Sequence, residues 1–373
     1  MFLVPKFRVD SEGKIGQHND VKIVSIEEKL GQHGSPTCVM AYGDNDECIG
    51  TLVGKENEGL RNMFVMMNAA RIDVGMQAAS VGEAAFQKSL EYALDRPQGR
   101  KFGVKTGPAT PIWNHPDVRR NLYTMKALTD ASKAICYANM VAYDVARRSS
   151  DPEIAAAAKE REELLTPLSK AFSSDRALET TNIGIQIHGG MGFVEETGAA
   201  QFFRDVRICT IYEGTNGIQG IDLIGRKLGM GDGKLAYDLI EEMNANADAA
   251  IATGDDDLKR AGERLKHEAE SLRQNTEWMV AAMKANPEEG LAGGTPYLEQ
   301  FGYIAGGHYL LKGAVSAYDA KKEAGAHTDY LDGRIHIATF YADNLLPRAS
   351  GFAPAVRAGA ATVEELEPTP LSA

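Results

Sequence analysis

The sequence predicts a mainly α-helical protein that opens with a short β segment. Three observations carry that expectation. Short β-rich runs stop near residue 58, apolar residues recur at helical spacing from there to about residue 346, and glycines at 189–192 and 229–233 interrupt the helical pattern. The 373 residues carry 40 Lys+Arg against 52 Asp+Glu, a formal net charge of −12, and are 43% hydrophobic and 25% charged. That balance excludes a disordered, collagen-like or coiled-coil chain. It also argues against nucleic acid, because phosphate binding needs clustered Lys and Arg, and none appears. No apolar run approaches the roughly 20 residues that span a bilayer, and no signal-peptide pattern is present, so the expectation is a cytoplasmic protein with no membrane span. Cys38, Cys48, Cys136 and Cys209 have neither disulfide-framework nor zinc spacing.

The elements follow in order. Phe2–Val4 is an apolar run stopped by Pro5, which cannot donate to a sheet ladder. Val21–Ile26 alternates, and Thr37–Tyr42 and Ile49–Val53 are β-rich, with Asp44, Asn45 and Asp46 between them as a hairpin turn would be. A first strand beginning at Met1 resembles a piece of a larger sheet. From Gly59 the period becomes helical, with Val74, Ala78, Val81 and Ala85 on one stripe. A loop from Arg96 through Pro111 precedes a helix that opens at His115-Pro116 and runs to about Ser149. Asp151-Pro152 is a helix start, with Asp as N-cap and Pro at the first position, for a helix running to about Thr181. Beyond Gly229, Gly231 and Gly233, helices are expected near 234–250, 258–283, 298–322 and 329–346, with fraying from Gly351. The resulting division is 1–58, 59–228 and 229–373.

Two segments carry chemistry. Gln186-Ile-His-Gly-Gly-Met-Gly-Phe193 puts three glycines in four residues, which suits a backbone that approaches a phosphate closely, or equally a tight interhelical turn. Arg204-Asp-Val-Arg-Ile-Cys-Thr-Ile-Tyr-Glu-Gly-Thr-Asn-Gly-Ile-Gln219 delivers Glu213 after Ile208, Ile211 and Tyr212. A carboxylate among apolar groups suits a general base, and a helix N-terminal charge accounts for it as well. The two segments lie within about 30 residues of each other, so one shared site is expected.

These motifs, in this order, resemble the C-terminal signature of the acyl-CoA dehydrogenases. Glu28-Lys-Leu-Gly-Gln-His-Gly-Ser-Pro-Thr37 resembles the close of their middle β domain, Ala70-Arg71 their first bundle helix, and Arg96-Pro-Gln98 their Arg-x-Gln. Thr215-Asn-Gly-Ile-Gln219 with Asp222-Leu-Ile-Gly-Arg-Lys227 is similar to the branch with larger subunits. The resemblance covers about residues 1–228. It implies a partial middle β domain (1–58), a four-helix-bundle C-terminal domain (59–228) and an extra helical C-terminal extension (229–373). Because it begins partway into the family's β domain, a longer polypeptide with an upstream coding segment is expected.

The resemblance also implies function. Members use FAD to desaturate an acyl-CoA between Cα and Cβ, with a carboxylate taking the α proton while the β hydrogen leaves as hydride to flavin N5. Glu213 matches the base. Ala70 stands where some members carry the base instead, and it cannot take a proton. Asn68, Arg71 and Gly214 match positions toward the acyl-CoA, although Asn68 is also a plausible N-cap. Arg96, Gln186, Gly189, Gly190, Thr215 and Asn216 match FAD-contacting positions. In the family the Arg96 and Gln186–Gly190 equivalents reach the flavin of a neighbouring subunit, which implies a homodimer or larger. Here Gly99-Arg-Lys intervenes before Phe102-Gly103, so Arg96 and Arg100 compete for the pyrophosphate. His115 matches a family His near FAD and is equally a helix-start residue, and His188 is expected to pack. The implied substrate is a fatty acyl-CoA or a 3-methylthio-substituted propanoyl-CoA, with electron-transfer flavoprotein as acceptor. The competing readings are a non-catalytic helical scaffold, tested by flavin binding, and an acyl-CoA oxidase, which differs in oxygen access.

Overall fold

A computed structural model describes residues 1–323, 327–360 and 363. Residues 1–70 and 71–373 form two compact units. The first carries three antiparallel ribbons: β1 (Phe2–Leu3) with β6 (Thr51–Leu52), β2 (Phe7–Val9) with β3 (Ile15–His18), and β4 (Val21–Ile26) with β5 (Cys38–Tyr42). The hairpin expected between residues 37–42 and 49–53 does not form. The Asp20 carboxylate accepts from the Asn45 and Glu47 N–H groups at 2.8 and 3.3 Å and from Asn45 Nδ2 at 2.9 Å. That grip turns the Asp44–Asp46 segment back to β4 and leaves Thr51–Leu52 to pair with the first strand. Asn19, fully buried, donates to the Pro5 and Ile49 carbonyls and accepts from the Ile49 N–H, so one side chain joins three segments. Strands β2 and β3 were not expected, because Phe-Arg-Val and Ile-Gly-Gln-His are too short to display a period.

Helix α1 (Gly59–Asp95) crosses from the first unit into the second. The second unit continues with α2 (Pro116–Arg148) and α3 (Pro152–His188). Asp151 caps α3 as expected, accepting from the Glu153 and Ile154 N–H groups, with Pro152 at the first position. The helix outruns the expected end at Thr181 by two turns, because Gly184 and Ile187 continue its buried face. It stops where Gly189 takes φ 60°, ψ −138°, a conformation that essentially only glycine adopts.

Close approaches between these helices give their directions. A Cβ on Gly75 would lie 2.3 Å from the Ser169 carbonyl oxygen and 3.1 Å from Cys136 Sγ. On Gly82 it would meet Thr129 Oγ1 at 3.3 Å and Ala177 at 3.7 Å, and on Gly184 it would meet Ser89 Oγ at 3.1 Å and Met125 Cε at 3.4 Å. Numbers rise together on α1 and α3 while those on α2 fall. Helices α1 and α3 are therefore parallel and α2 runs antiparallel between them. Glycines let these backbones approach as no larger residue would.

The chain then forms α4 (Ala199–Val206), α5 (Asn216–Asp222), α6 (Lys234–Ala252), α7 (Asp256–Ala285), α8 (Pro287–Ala320), α9 (Thr328–Asn344) and α10 (Arg348–Arg357). Leu128, Leu165 and Phe172 of α2 and α3 share one core with Leu265, Phe301, Ile304 and Leu346. The boundary at 58 thus marks a change from strands to helix, whereas helices on both sides of residue 229 bury one another. The fraying expected from Gly351 is corrected over residues 351–357, which continue α10. Val356 there is fully buried, and its carbonyl oxygen lies 2.4 Å from where a Cβ on Gly293 would be. The remainder of the tail, 361–362 and 364–373, lies outside the described residues. Among the described residues no helix is long and apolar enough to cross a membrane.

Candidate active site

A single 3-10 turn, Arg207–Thr210, follows α4 and delivers Ile211, Tyr212 and Glu213 to a sharp reversal. Glu213 has φ 57° and Gly214 φ 85°, two successive left-handed residues. For a glutamate this conformation costs on the order of 1–2 kcal/mol, and it persists only where neighbours hold it. Here both carbonyls are held. Arg71 Nε donates to the Glu213 carbonyl at 3.2 Å, and Gln219 Nε2 donates to the Glu213 and Gly214 carbonyls at 3.3 and 3.2 Å. A Cβ on Gly214 would lie 3.0 Å from that amide nitrogen, so glycine suits both the angle and the space. Arg71 is itself fixed by a buried ion pair to Asp222 Oδ2 at 2.9 Å, and Arg226 Nε donates to the other carboxylate oxygen at 2.5 Å. The reversal leaves Glu213 half-buried. Among the described residues, neither its carboxylate nor its own N–H has a partner.

Thr215 caps α5, accepting from the Ile218 N–H at 3.3 Å. Asn216 faces inward. Its Oδ1 accepts from Lys170 Nζ at 2.9 Å and Ser174 Oγ at 3.3 Å, and its Nδ2 donates to Ser174 Oγ at 3.0 Å and the Ala171 carbonyl at 3.4 Å. Burial pushes the Lys170 amine down to about 8. Lys170, Asp222 and Gln219 were given no role from the sequence. Asp222 sits 151 residues from Arg71, and no spacing rule announces such a pair. Asn68 lies inside α1, which begins at Gly59, so it is not an N-cap.

The remaining predicted residues gather near the C-terminal end of α3. Tyr92 stacks on His188, ring centroids 4.4 Å apart, which brings the end of α1 beside the end of α3. Arg96 follows Tyr92 by one helical turn, and Gln186, Gly189 and Gly190 surround His188 in sequence. His188 packs as expected: its Nδ1 donates to the Gly184 carbonyl at 2.7 Å, and burial pushes the imidazole down. The single shared site expected from sequence proximity is not formed within one chain. Ser174, under Asn216, and Gln186 are twelve residues apart on α3, about 18 Å at 1.5 Å per residue.

The glycines of this end differ in what the fold asks of them. A Cβ on Gly192 would fall 2.3 Å from the Ile185 carbonyl oxygen, so the fold itself requires that glycine. Gly190 has an ordinary φ and nothing within 4 Å of a Cβ, so the fold does not require it. Arg96, one turn beyond the Tyr92 that stacks on His188, is exposed. Arg100 is committed elsewhere: its Nε donates to the Gly107 carbonyl at 2.7 Å and closes its own loop. His115 Nε2 donates to the Gln98 carbonyl at 2.8 Å and ties that loop to the start of α2. Phe102 and Phe193 stand exposed at this end.

Comparison with known proteins finds similar families, relatives and folds. Residues 57–229 match the family described as acyl-CoA dehydrogenase, C-terminal domain, and residues 239–367 the family described as acetyl-CoA dehydrogenase C-terminal like. The chain is similar to the 3-methylmercaptopropionyl-CoA dehydrogenase of Ruegeria pomeroyi, with 40% identity over 94% of this chain and 58% of that protein. Two crystal structures share the fold. Caenorhabditis elegans ACDH-11, solved with C11-CoA, has TM-score 0.72 and 18% identity over 90% of this chain and 55% of that one. An acyl-CoA dehydrogenase of Bacillus anthracis, solved with FAD, has TM-score 0.69 and 21% identity over 90% and 56%. The chain thus spans somewhat more than half the length of these three relatives.

Proposed function

The chain belongs to the acyl-CoA dehydrogenase family, and we propose that it carries the catalytic base and part of the flavin site for α,β-dehydrogenation of an acyl-CoA thioester. One observation carries this reading: the reversal at Glu213 secures its carbonyl, while its carboxylate and N–H have no hydrogen-bond partner among the described residues. The carboxylate takes the α proton. The N–H donates to the thioester oxygen as enolate charge develops, a contribution that can reach several kcal/mol in a water-excluded site. Both groups belong to one residue, so the Arg71 and Gln219 clamps fix base and oxyanion donor together. Gly214 keeps side-chain atoms away from the approaching thioester. The bound acyl chain excludes water from the carboxylate.

FAD, when bound, supplies the acceptor for the β hydrogen. Arg96, Gly189 and Gly190 would hold its pyrophosphate, with Gln186 beside them. Thr215 and the backbone at Asn216 would face it near the base, since the Asn216 amide is already fully engaged. The separation of about 18 Å supports a homodimer or larger assembly in which the Arg96 end of one copy serves the base of another. Asn68 and Arg71 are read as lining the acyl-CoA side. Similarity to the Ruegeria pomeroyi enzyme favours a 3-methylthio-substituted propanoyl-CoA over a long fatty acyl-CoA, and electron-transfer flavoprotein is the proposed acceptor.

The test is anaerobic flavin bleaching. Protein loaded with FAD should bleach on addition of the acyl-CoA, and Glu213→Gln should slow this by about 10²–10⁴-fold while retaining flavin. Bleaching at the wild-type rate in Glu213→Gln would overturn the assignment.

A further inference from the structure

We propose that Lys170 is a positioning residue for the reversal that carries Glu213, anchoring the start of α5 to α3 through the Asn216 side chain. This rests on the reading of Glu213 as the base. Lys170 is 0% exposed, and among the described residues it has no ion pair. Its hydrogen bond goes to Asn216 Oδ1 at 2.9 Å. Burying an ammonium without a carboxylate partner is strongly unfavourable, and a methionine would fill the same volume without that penalty. Packing therefore does not account for a lysine here. The charged and titratable groups it feels are Asp175 on its own helix, Cys209 in the preceding turn, Arg71 on α1 and Glu213. Two of those four belong to the site already described.

The mechanical argument points the same way. Arg71 and Gln219 grip the Glu213 reversal on its carbonyl side. On the other side, Asn216 follows three residues later and ties α5 to α3 with both ends of its amide. Lys170 and Ser174 lie one turn apart on α3, so together they form a rigid two-point seat. A strained pair of left-handed residues needs support from both flanks, and the lysine supplies the second.

Amide hydrogen exchange read by mass spectrometry tests this on the full chain without relying on activity. In Lys170→Met, amides of residues 211–222 should exchange at least tenfold faster, while residues 160–180 stay protected and the thermal midpoint is retained or raised. Asn216→Ala should reproduce the effect, and the double variant should exchange no faster than either single one. Unchanged exchange in 211–222 would overturn the proposal. So would loosening that spreads along α3, or a Lys170→Met chain that fails to fold while Asn216→Ala exchanges normally. Glu213→Gln assayed in parallel separates the two claims: wild-type activity there sinks the base assignment and leaves the exchange pattern unaffected.

Discussion

Arg71 and Asp222 are 5% and 3% exposed, and their pairing shows how single residues fix the site. Removing one partner strands the other charge in the core. Asp222→Ala should therefore lower stability by about 3–5 kcal/mol, read as a drop in the urea midpoint with little change in slope. Lys170 makes an opposite kind of prediction. Its amine is pushed from 10.5 down to about 8 by burial, so between those values the folded chain binds fewer protons than the unfolded one. Stability then rises with pH across that window, and the contribution is unfavourable below it. The difference in unfolding free energy between wild type and Lys170→Met should shift in favour of wild type by about 3 kcal/mol from pH 8 to 10.5. A flat difference would mean the amine titrates normally. Glu213 itself was legible in the sequence, because Tyr-Glu-Gly-Thr is a local pattern. Its clamps were not, since Arg71, Lys170 and Gln219 converge from three separate elements.

At the scale of elements, the two glycine-bearing turns divide into parts the fold needs and parts it does not. Gly192→Ala forces a Cβ against the Ile185 carbonyl and should cost about 1–3 kcal/mol in thermal or urea unfolding. Gly190→Ala meets open space and should change stability by less than about 0.5 kcal/mol, yet weaken FAD binding in a titration. If Gly190→Ala binds FAD like the wild type, that turn does not hold the cofactor. Helix starts were readable where capping chemistry is local, as at Asp151-Pro152. The sequence pattern ends α3 early because Thr181, Asn182 and Gly184 weaken it locally. Packing against Ala85, Ser89 and Met125 overrides it. The strand pairing departs from the sequence pattern for a related reason: a turn sequence marks a reversal, and Asp20 decides which strand the chain returns to.

Across the whole molecule, the helices beyond residue 229 complete the core of the bundle. A chain ending at Leu228 would expose Leu128, Leu165 and Phe172, so it should lack the cooperative thermal transition of the full chain, as circular dichroism would report. A well-folded truncated chain would refute that. The sequence by itself determined the class, mainly helical after a short β segment, together with the glutamate and the glycine turns, because period, caps and local motifs are carried by neighbours along the chain. Only the tertiary structure decided which residues clamp Glu213, which glycine the fold can spare, and that Asn216, three residues after Glu213, seats on the middle of α3 while the Gly189 turn closes that helix's end. Those facts depend on close packing between elements far apart in sequence, where a backbone approach of a few ångströms, invisible to any local pattern, selects the partner.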